Sequence, residues 1–373
     1  MPVSPPAVSI DLPDGSGYVL HVEPLAHTPQ RMREAGLTPG PVLVVTDETV
    51  EALYLDALAE AFRTEGWTPI ATAIPAGEAS KSIEVWTRVL GWALEQTPTR
   101  RTPIVALGGG VVGDLAGFVA ATLLRGVPLV QLPTTVISQV DSAIGGKTGI
   151  NHPAGKNLIG AFKRPAVVLA DPTTLQTLSN RELTSGLAEA VKHALISEGE
   201  LADTLASSWE ALLARDANAL ARTIRDAAEV KATVVMADEF EGGVRAFLNF
   251  GHTFGHAIER ATGYGTFTHG EAVALGIRAA LHLSASLQNR QLADPLPASF
   301  AEADALVARI PTPALGDVST DALMNAMQTD KKRGETGIRF VVLDAPGHPR
   351  LAQDVPDDLV RAAWSYARSV ASD

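Results

Sequence analysis

Three of the nine histidines fall between positions 252 and 269, in Asn249-Phe-Gly-His252-Thr-Phe-Gly-His256-Ala-Ile-Glu259 and Thr268-His269-Gly-Glu271. His252 and His256 are four apart and would share one face of a helix, the usual geometry for joint ligation of a metal. Such a pair by itself is more often packing or hydrogen bonding. With His269 and a carboxylate nearby the balance reverses, because His and Glu ligands plus an open position describe a catalytic zinc-type site. The carboxylate candidate is Glu189 in Ser185-Gly-Leu-Ala-Glu189-Ala-Val-Lys192-His193, a polar residue in an otherwise small and apolar helix. Its plainer reading is a helical ion pair with Lys192 or His193. His193 reads as structural, and His21, His27, His282 and His348 as surface or packing residues.

A second constellation is Gly108-Gly-Gly-Val-Val-Gly113, which follows an apolar strand and opens a helix. Its G-x-G-x-x-G spacing lets backbone amides approach a pyrophosphate at a helix N-terminus. The acidic residue usual about 20 positions later is missing, since that stretch ends in Leu132-Pro-Thr-Thr135, so a close-packed turn competes with a dinucleotide site. Asp114, the loop Gly77-Glu78-Ala-Ser-Lys81, and Asp47 at the end of the first strong strand add carboxylates suited to ribose hydroxyls and a cation. In an open α/β sheet these three loops converge outside the carboxyl ends of the strands. Basic residues recur in Gly- and Asn-rich segments at Lys147, Lys156-Asn157 and Lys331-Lys332, with Lys231 and Arg245 on the helical side. Together they suggest a small polyanionic substrate held by charge-assisted hydrogen bonds.

The elements that must position these groups alternate through the first half. Strands are expected at 41–46, 70–74, 103–107, 127–132 and 166–170. Helices are expected through Leu53, Leu55, Leu58, Ala61 and Phe62, over 82–94, and beyond Gly113. Repeated β-α-β units imply a parallel sheet with helices on both faces. After Asp171-Pro172 the pattern turns helical, over 182–196, 201–213, 217–236, 253–261 and 271–287. The fold class is therefore α/β, with a Rossmann-like parallel-sheet domain expected over 1–175, carrying the candidate dinucleotide turn, and a mostly α-helical domain expected over 176–373, carrying the candidate metal and substrate residues.

Composition narrows the partners. A net charge of -12 argues against grip on nucleic acid, which needs a basic surface. With no cysteine, any metal must use His, Asp, Glu or solvent. The first residues lack a basic segment followed by an apolar one, and no run approaches the ~20 apolar residues of a membrane helix, so the expectation is a cytoplasmic protein with no membrane partner.

The residues closely resemble the dehydroquinate synthase family of sugar-phosphate cyclases. Ten short motifs occur in order, at 77–81, 108–114, 133–135, 138–141, 145–148, 155–157, 186–189, 248–256, 269–271 and 330–332. The resemblance covers about residues 40–335, and its specificity lies in the ordered series. It implies NAD contacts by Asp47, Glu78, Lys81, Gly110, Val111, Val112, Gly113, Asp114, Thr134 and Thr135, and by Thr174, Leu175, Gln176 and Thr177. It implies divalent metal ligation, by zinc or cobalt, through Glu189, His252 and His269. Lys147, Lys156 and Asn157 match positions lining the cofactor and substrate cleft, and Asp141 and Lys192 positions near the substrate's ring hydroxyls. Lys231 and Arg245 match the carboxylate positions. Asn249, His256 and Lys331 (or its neighbour Lys332) match the phosphate positions. A homodimer is implied, with Arg125 reaching the neighbour's substrate phosphate.

The implied reaction converts 3-deoxy-D-arabino-heptulosonate 7-phosphate to 3-dehydroquinate and phosphate, a carbon–oxygen lyase step of the shikimate pathway to aromatic amino acids. It runs through transient oxidation at C5, β-elimination of phosphate, reduction and an internal aldol closure. The closest rival is a cyclase acting on sedoheptulose 7-phosphate or glucose 6-phosphate, substrates without a carboxylate. Lys231 and Arg245 would then be two unmatched cations, which disfavours it. A metal-dependent glycerol or alcohol dehydrogenase needs fewer anion-binding residues, and a noncatalytic descendant would be expected to have broken motifs.

Overall fold

The computed structural model describes residues 7–263, 265–289, 295–331 and 338–371, apart from the side chains at 289 and 329–331. The chain forms two compact units, Met1–Leu178 with Arg215–Phe240, and Ser179–Ala214 with Glu241–Asp373.

In the first unit the strands are β1 (Val8–Asp11), β2 (Gly17–Val22), β3 (Pro41–Asp47), β4 (Thr68–Ile74), β5 (Ile104–Gly108), β6 (Leu129–Pro133), β7 (Lys147–His152), β8 (Gly155–Phe162) and β9 (Val167–Ala170). Seven of them form one sheet in the order β1-β2-β9-β6-β5-β3-β4, while β7 and β8 pair as a separate antiparallel hairpin. Every pairing in the large sheet is parallel except that of β1 with β2. Successive side chains of β3 go to opposite faces, as strand geometry demands. Val42 and Val44 pack with Met32, Leu58 and Phe62 from helices Thr28–Glu34 and Asp56–Thr64. Leu43 and Val45 pack with Val89, Ala93, Leu115 and Val119 from helices Ile83–Glu95 and Gly110–Thr122. Both faces are covered, which is why these strands read as continuous apolar runs.

The strand order reverses between β3 and β5, because β4 lies outside β3 and β5 lies on its other side. That is the switch point at which open α/β sheets bind ligands. The glycine turn leads directly into its helix at Gly110, whereas the helix is expected from the sequence only beyond Gly113. Leu53, placed on an apolar helix face by its spacing, is instead exposed, since the buried face of that segment is Leu58, Ala59 and Phe62.

Helix Ala217–Ala237 belongs to this first unit, buried along Leu220, Ile224, Ala227, Ala228, Lys231 and Val235. It packs against β1 and against the turn Ser138–Ser142.

The second unit holds helices Asn180–Ile196, Leu201–Leu213, His252–Ala261, His269–Asn289, Ala298–Val307, Thr320–Lys331 and Asp357–Val370, with a hairpin of β10 (Phe340–Ala345) and β11 (His348–Ala352). Ser179 and Glu182 close a reciprocal capping box at the start of Asn180–Ile196. Helix His269–Asn289 is central, touching Asn180–Ile196, His252–Ala261, Ala298–Val307 and Asp357–Val370. Two glycines permit its closest approaches. A Cβ at Gly276 would lie 2.3 Å from Gly251 O, and one at Gly270 would lie 1.8 Å from Ser185 O. Any side chain there would drive His269–Asn289 away from both neighbours. The tail also contributes, since Phe254 stacks edge-on with Trp364 at 4.9 Å and against Phe340 at 5.6 Å. No described helix is long and apolar enough to cross a membrane.

Candidate metal and dinucleotide sites

The close glycine contacts bring three chemically active residues of the second unit together. Glu189 sits in the buried Asn180–Ile196 helix, His252 opens His252–Ala261, and His269 opens His269–Asn289. Glu189 Oε1 lies 3.5 Å from His252 Nε2 and 3.4 Å from His269 Nε2. All three donor atoms fall within 4.8 Å of one another. Ligands about 2.1 Å from a tetrahedral ion stand about 3.4 Å apart, so both separations match the edge of a zinc-like coordination sphere. The donor set of two imidazoles and a carboxylate, with no thiolate, fits such an ion as well.

Each ring is also held from behind. His252 Nδ1 lies 3.3 Å from Phe250 O, and His269 Nδ1 lies 3.6 Å from Glu259 Oε1. Both Nε2 atoms are thereby turned toward Glu189. Electrostatics separates the two rings: burial drives the His252 imidazole down to about 3, with the Glu189 charge pulling the other way. For His269 burial also favours the neutral ring, yet its interactions with the Glu189 and Glu259 carboxylates outweigh it and raise the group to about 9. Lys192 Nζ bonds Glu189 Oε2, so the plain ion-pair reading and the metal reading both draw on one carboxylate, through its two different oxygens.

The loop carrying His269 is fixed by a further network. Arg181 donates from Nε to Glu271 Oε1 at 2.6 Å and from Nη2 to Oε2 at 2.7 Å, and also reaches Thr266 O at 2.9 Å. Glu271 accepts from Thr268 N at 2.8 Å, and Ser185 Oγ accepts from Gly270 N at 3.2 Å. Burial alone would raise the Glu271 carboxyl, but the bonds from Arg181 and Thr268 hold it below its ordinary range. Nothing in the sequence singles out Arg181 or Ser185, and Glu271 stands out there only as part of a motif. Arg245 is buried in this unit, while Asn249 and His256 are exposed. The Lys331 side chain and Lys332 lie outside the described residues.

In the first unit the glycine turn lies at the end of β5. Gly109 starts the helix with no side-chain cap, and a Cβ on it would come within 3.1 Å of Thr135. An uncapped helix start with such close backbone access is suited to an anion. Around it, Lys81 Nζ bonds Asp114 Oδ2 at 2.7 Å and Asn157 Oδ1 at 2.5 Å, and lies 4.0 Å from Glu78 Oε1. Burial raises the Asp114 carboxyl above its ordinary range, and Lys81 partly offsets this. Asn151 ties the hairpin to the same cluster, donating to Glu78 Oε1 at 2.7 Å and accepting from Asn157 N at 2.9 Å.

Asp47 uses Oδ1 to cap Thr49 and Val50. Thr134 and Thr174 are buried, Tyr54 OH holds Thr174 O and Thr177 Oγ1, and Gln176 reaches Arg215 O. The Leu175 side chain is fully buried, so any ligand contact there would use its backbone. Lys231 Nζ bonds Asp141 Oδ1 at 2.7 Å, whereas Lys147, Lys156 and Arg125 are exposed. Arg125 also has a left-handed backbone, at φ 65°.

This architecture, a switch-point sheet unit and a helical His/Glu unit, is that of the sugar-phosphate cyclases. It superimposes on 2-deoxy-scyllo-inosose synthase complexed with carbaglucose-6-phosphate, NAD+ and Co2+, with a TM-score of 0.83 at 25% identity over 98% of this chain and 99% of that one. It also matches ValA, the 2-epi-5-epi-valiolone synthase from Streptomyces hygroscopicus subsp. jinggangensis 5008 with NAD+ and Zn2+ bound, with a TM-score of 0.82 at 28% identity over 95% and 97% of the two chains.

Sequence comparison is more specific. Residues 71–185 match the family model 3-dehydroquinate synthase N-terminal, and residues 186–333 match 3-dehydroquinate synthase C-terminal. The 3-dehydroquinate synthase of Salinibacter ruber (strain DSM 13855 / M31) is 47% identical over 370 residues, 99% of each chain. The chain belongs to the 3-dehydroquinate synthase family.

Proposed function

We propose that this enzyme converts 3-deoxy-D-arabino-heptulosonate 7-phosphate to 3-dehydroquinate and phosphate, with the first unit holding NAD and the second a divalent metal. The observation that carries the reading is the pair of imidazole nitrogens set 3.4 and 3.5 Å from one Glu189 oxygen, in a chain of this family. When bound, NAD takes and returns one hydride while the metal stabilises negative charge on the reacting oxygen, so the net redox change is zero.

The chain's own residues do the rest. Glu189, His252 and His269 are the metal ligands, leaving room for a substrate oxygen. Asp47, Glu78, Lys81, the segment 110–114, Thr134, Thr135 and the segment 174–177 hold the dinucleotide, with Lys147, Lys156 and Asn157 at its edge. Lys231 and Arg245 bind the substrate carboxylate. Asp141 supplies the buried Lys231 ammonium with a counter-charge, and Asp141 and Lys192 orient ring hydroxyls. Asn249, His256 and Lys331 bind the phosphate, which takes the C6 proton as it leaves, so no side chain is assigned as a dedicated base. We also propose a cytoplasmic homodimer in which Arg125 acts on the neighbour's substrate phosphate.

Incubation of purified enzyme with the heptulosonate phosphate and catalytic NAD tests this directly. One phosphate and one 3-dehydroquinate should form per turnover without net NADH. Stoichiometric NADH accumulation, or turnover only of sedoheptulose 7-phosphate, would overturn it.

A further inference from the structure

We propose that Glu259 is a positioning residue for His269: its buried carboxylate takes Nδ1–H of that ring, so that Nε2 is the nitrogen offered to the metal. This rests on reading Glu189, His252 and His269 as the ligand set. An imidazole that ligates through one nitrogen carries its proton on the other, and a partner for that proton fixes both tautomer and ring orientation.

The two rings receive unlike partners. His252, with 13% of its side chain exposed, is backed by the neutral Phe250 carbonyl. His269, 35% exposed, is backed by a carboxylate that is itself only 8% exposed. The less confined ring thus has the stronger acceptor. Burying a carboxylate in a helix core is costly without such a partner. Glu259 lies on helix His252–Ala261, so the same helix that presents His252 also holds the ring that opens His269–Asn289. Two ligands from separate helices are in this way set by one rigid element.

A competing arrangement is visible. His256, Glu259 and His269 also offer donor atoms within 4.8 Å of one another, which would make Glu259 a direct ligand of a second ion. The two accounts separate on metal stoichiometry. In the positioning account the wild-type enzyme binds one zinc ion per chain.

Glu259→Ala and Glu259→Gln are compared with wild type for zinc stoichiometry, zinc affinity by chelator competition, and the rate of zinc release to chelator. Loss of an outer partner should weaken zinc binding by about 10–100-fold in Glu259→Ala. The loss should be smaller in Glu259→Gln, whose amide oxygen still accepts from Nδ1–H. The ¹⁵N shifts of His269 in the zinc-loaded proteins report the tautomer directly, a readout that general destabilisation does not move. Thermal unfolding of the metal-free forms checks folding, and if Glu259→Ala does not fold, Glu259→Gln carries the test. Wild-type affinity and release in both variants overturn the proposal, as does a stoichiometry of two ions falling to one. His269→Ala separates the layers. If it loses zinc while the Glu259 variants keep wild-type affinity, only the positioning role fails; if it keeps zinc, the ligand reading itself fails.

Discussion

His269→Ala and His256→Ala make opposite demands on the metal site. His269 Nε2 is 3.4 Å from Glu189 Oε1, at a coordination-edge spacing, and its removal takes away one of three donors. Losing an outer-shell partner alone costs about 10–100-fold in metal affinity, so losing a direct ligand should exceed the upper end of that range, about 2.7 kcal/mol. The His256 ring is exposed and centred 5.5 Å from His252 and 6.2 Å from His269, and its truncation leaves Glu189, His252 and His269 intact. After identical dialysis, metal analysis should find His269→Ala depleted and His256→Ala near wild-type content, with His256→Ala turning over slowly because the phosphate contact proposed for it is lost. Glu189→Ala should also lose metal, but it strips the buried Lys192 of its carboxylate. Breaking such a pair costs about 3–5 kcal/mol, so His269→Ala is the cleaner variant. If His256→Ala loses the metal and His269→Ala keeps it, the pair four residues apart is the true ligand set and the centre must be redrawn.

Metal binding should expel protons near neutral pH, because His269 is raised to about 9 in the metal-free site while His252, held at about 3, is already neutral. The raised group stabilises the metal-free fold fully below its ordinary 6.5 and loses that contribution as pH rises through about 9, so apparent zinc affinity should climb across the same window. Calorimetry in buffers of differing ionisation enthalpy should count about one proton per zinc at pH 7, and a count of zero refutes the assignment. Separately, mixing inactive Arg125→Ala and inactive His252→Ala subunits should restore activity through hybrid sites if Arg125 acts across a dimer. Verified heterodimers without any rescue would count against that arrangement.

The central strands of the sheet are readable because they are buried on both faces, whereas β1 and β2, with alternating burial at the sheet's edge, are not among the expected strands. The runs at β3, β5, β6 and β9 stand out as apolar blocks, and the structure places each within a residue or two of the expected position. The hairpin of β7 and β8 is not readable. It is built from Lys147, Gly149, Asn151, Gly155, Lys156, Asn157 and Gly160, residues that read as loop. Gly149 and Gly160 are needed because each faces the opposing backbone, where a Cβ would lie 2.5 Å from Ile159 O and 2.2 Å from Thr148 O. The tail after residue 335 is equally silent, yet Phe340 and Trp364 pack against Phe254. Such packing carries no motif, since any residue of suitable shape can serve.

The helix Ala217–Ala237 shows a different limit of reading along a chain. Its composition is that of the helical half, and only its contacts place it with the sheet unit, where Lys231 meets Asp141 across 90 positions of sequence. The histidines show the same limit at atomic scale. A spacing of four reports that His252 and His256 lie on one helix face, but ligation depends on where lone pairs point, and that is set by groups from other elements. The nitrogen that faces the same Glu189 oxygen as His252 Nε2 belongs to His269, brought there because Gly270 and Gly276 let three helices close on one another. Periodicity finds residues that share a helix; the glycines that allow helices to meet explain how residues from different helices can share an ion.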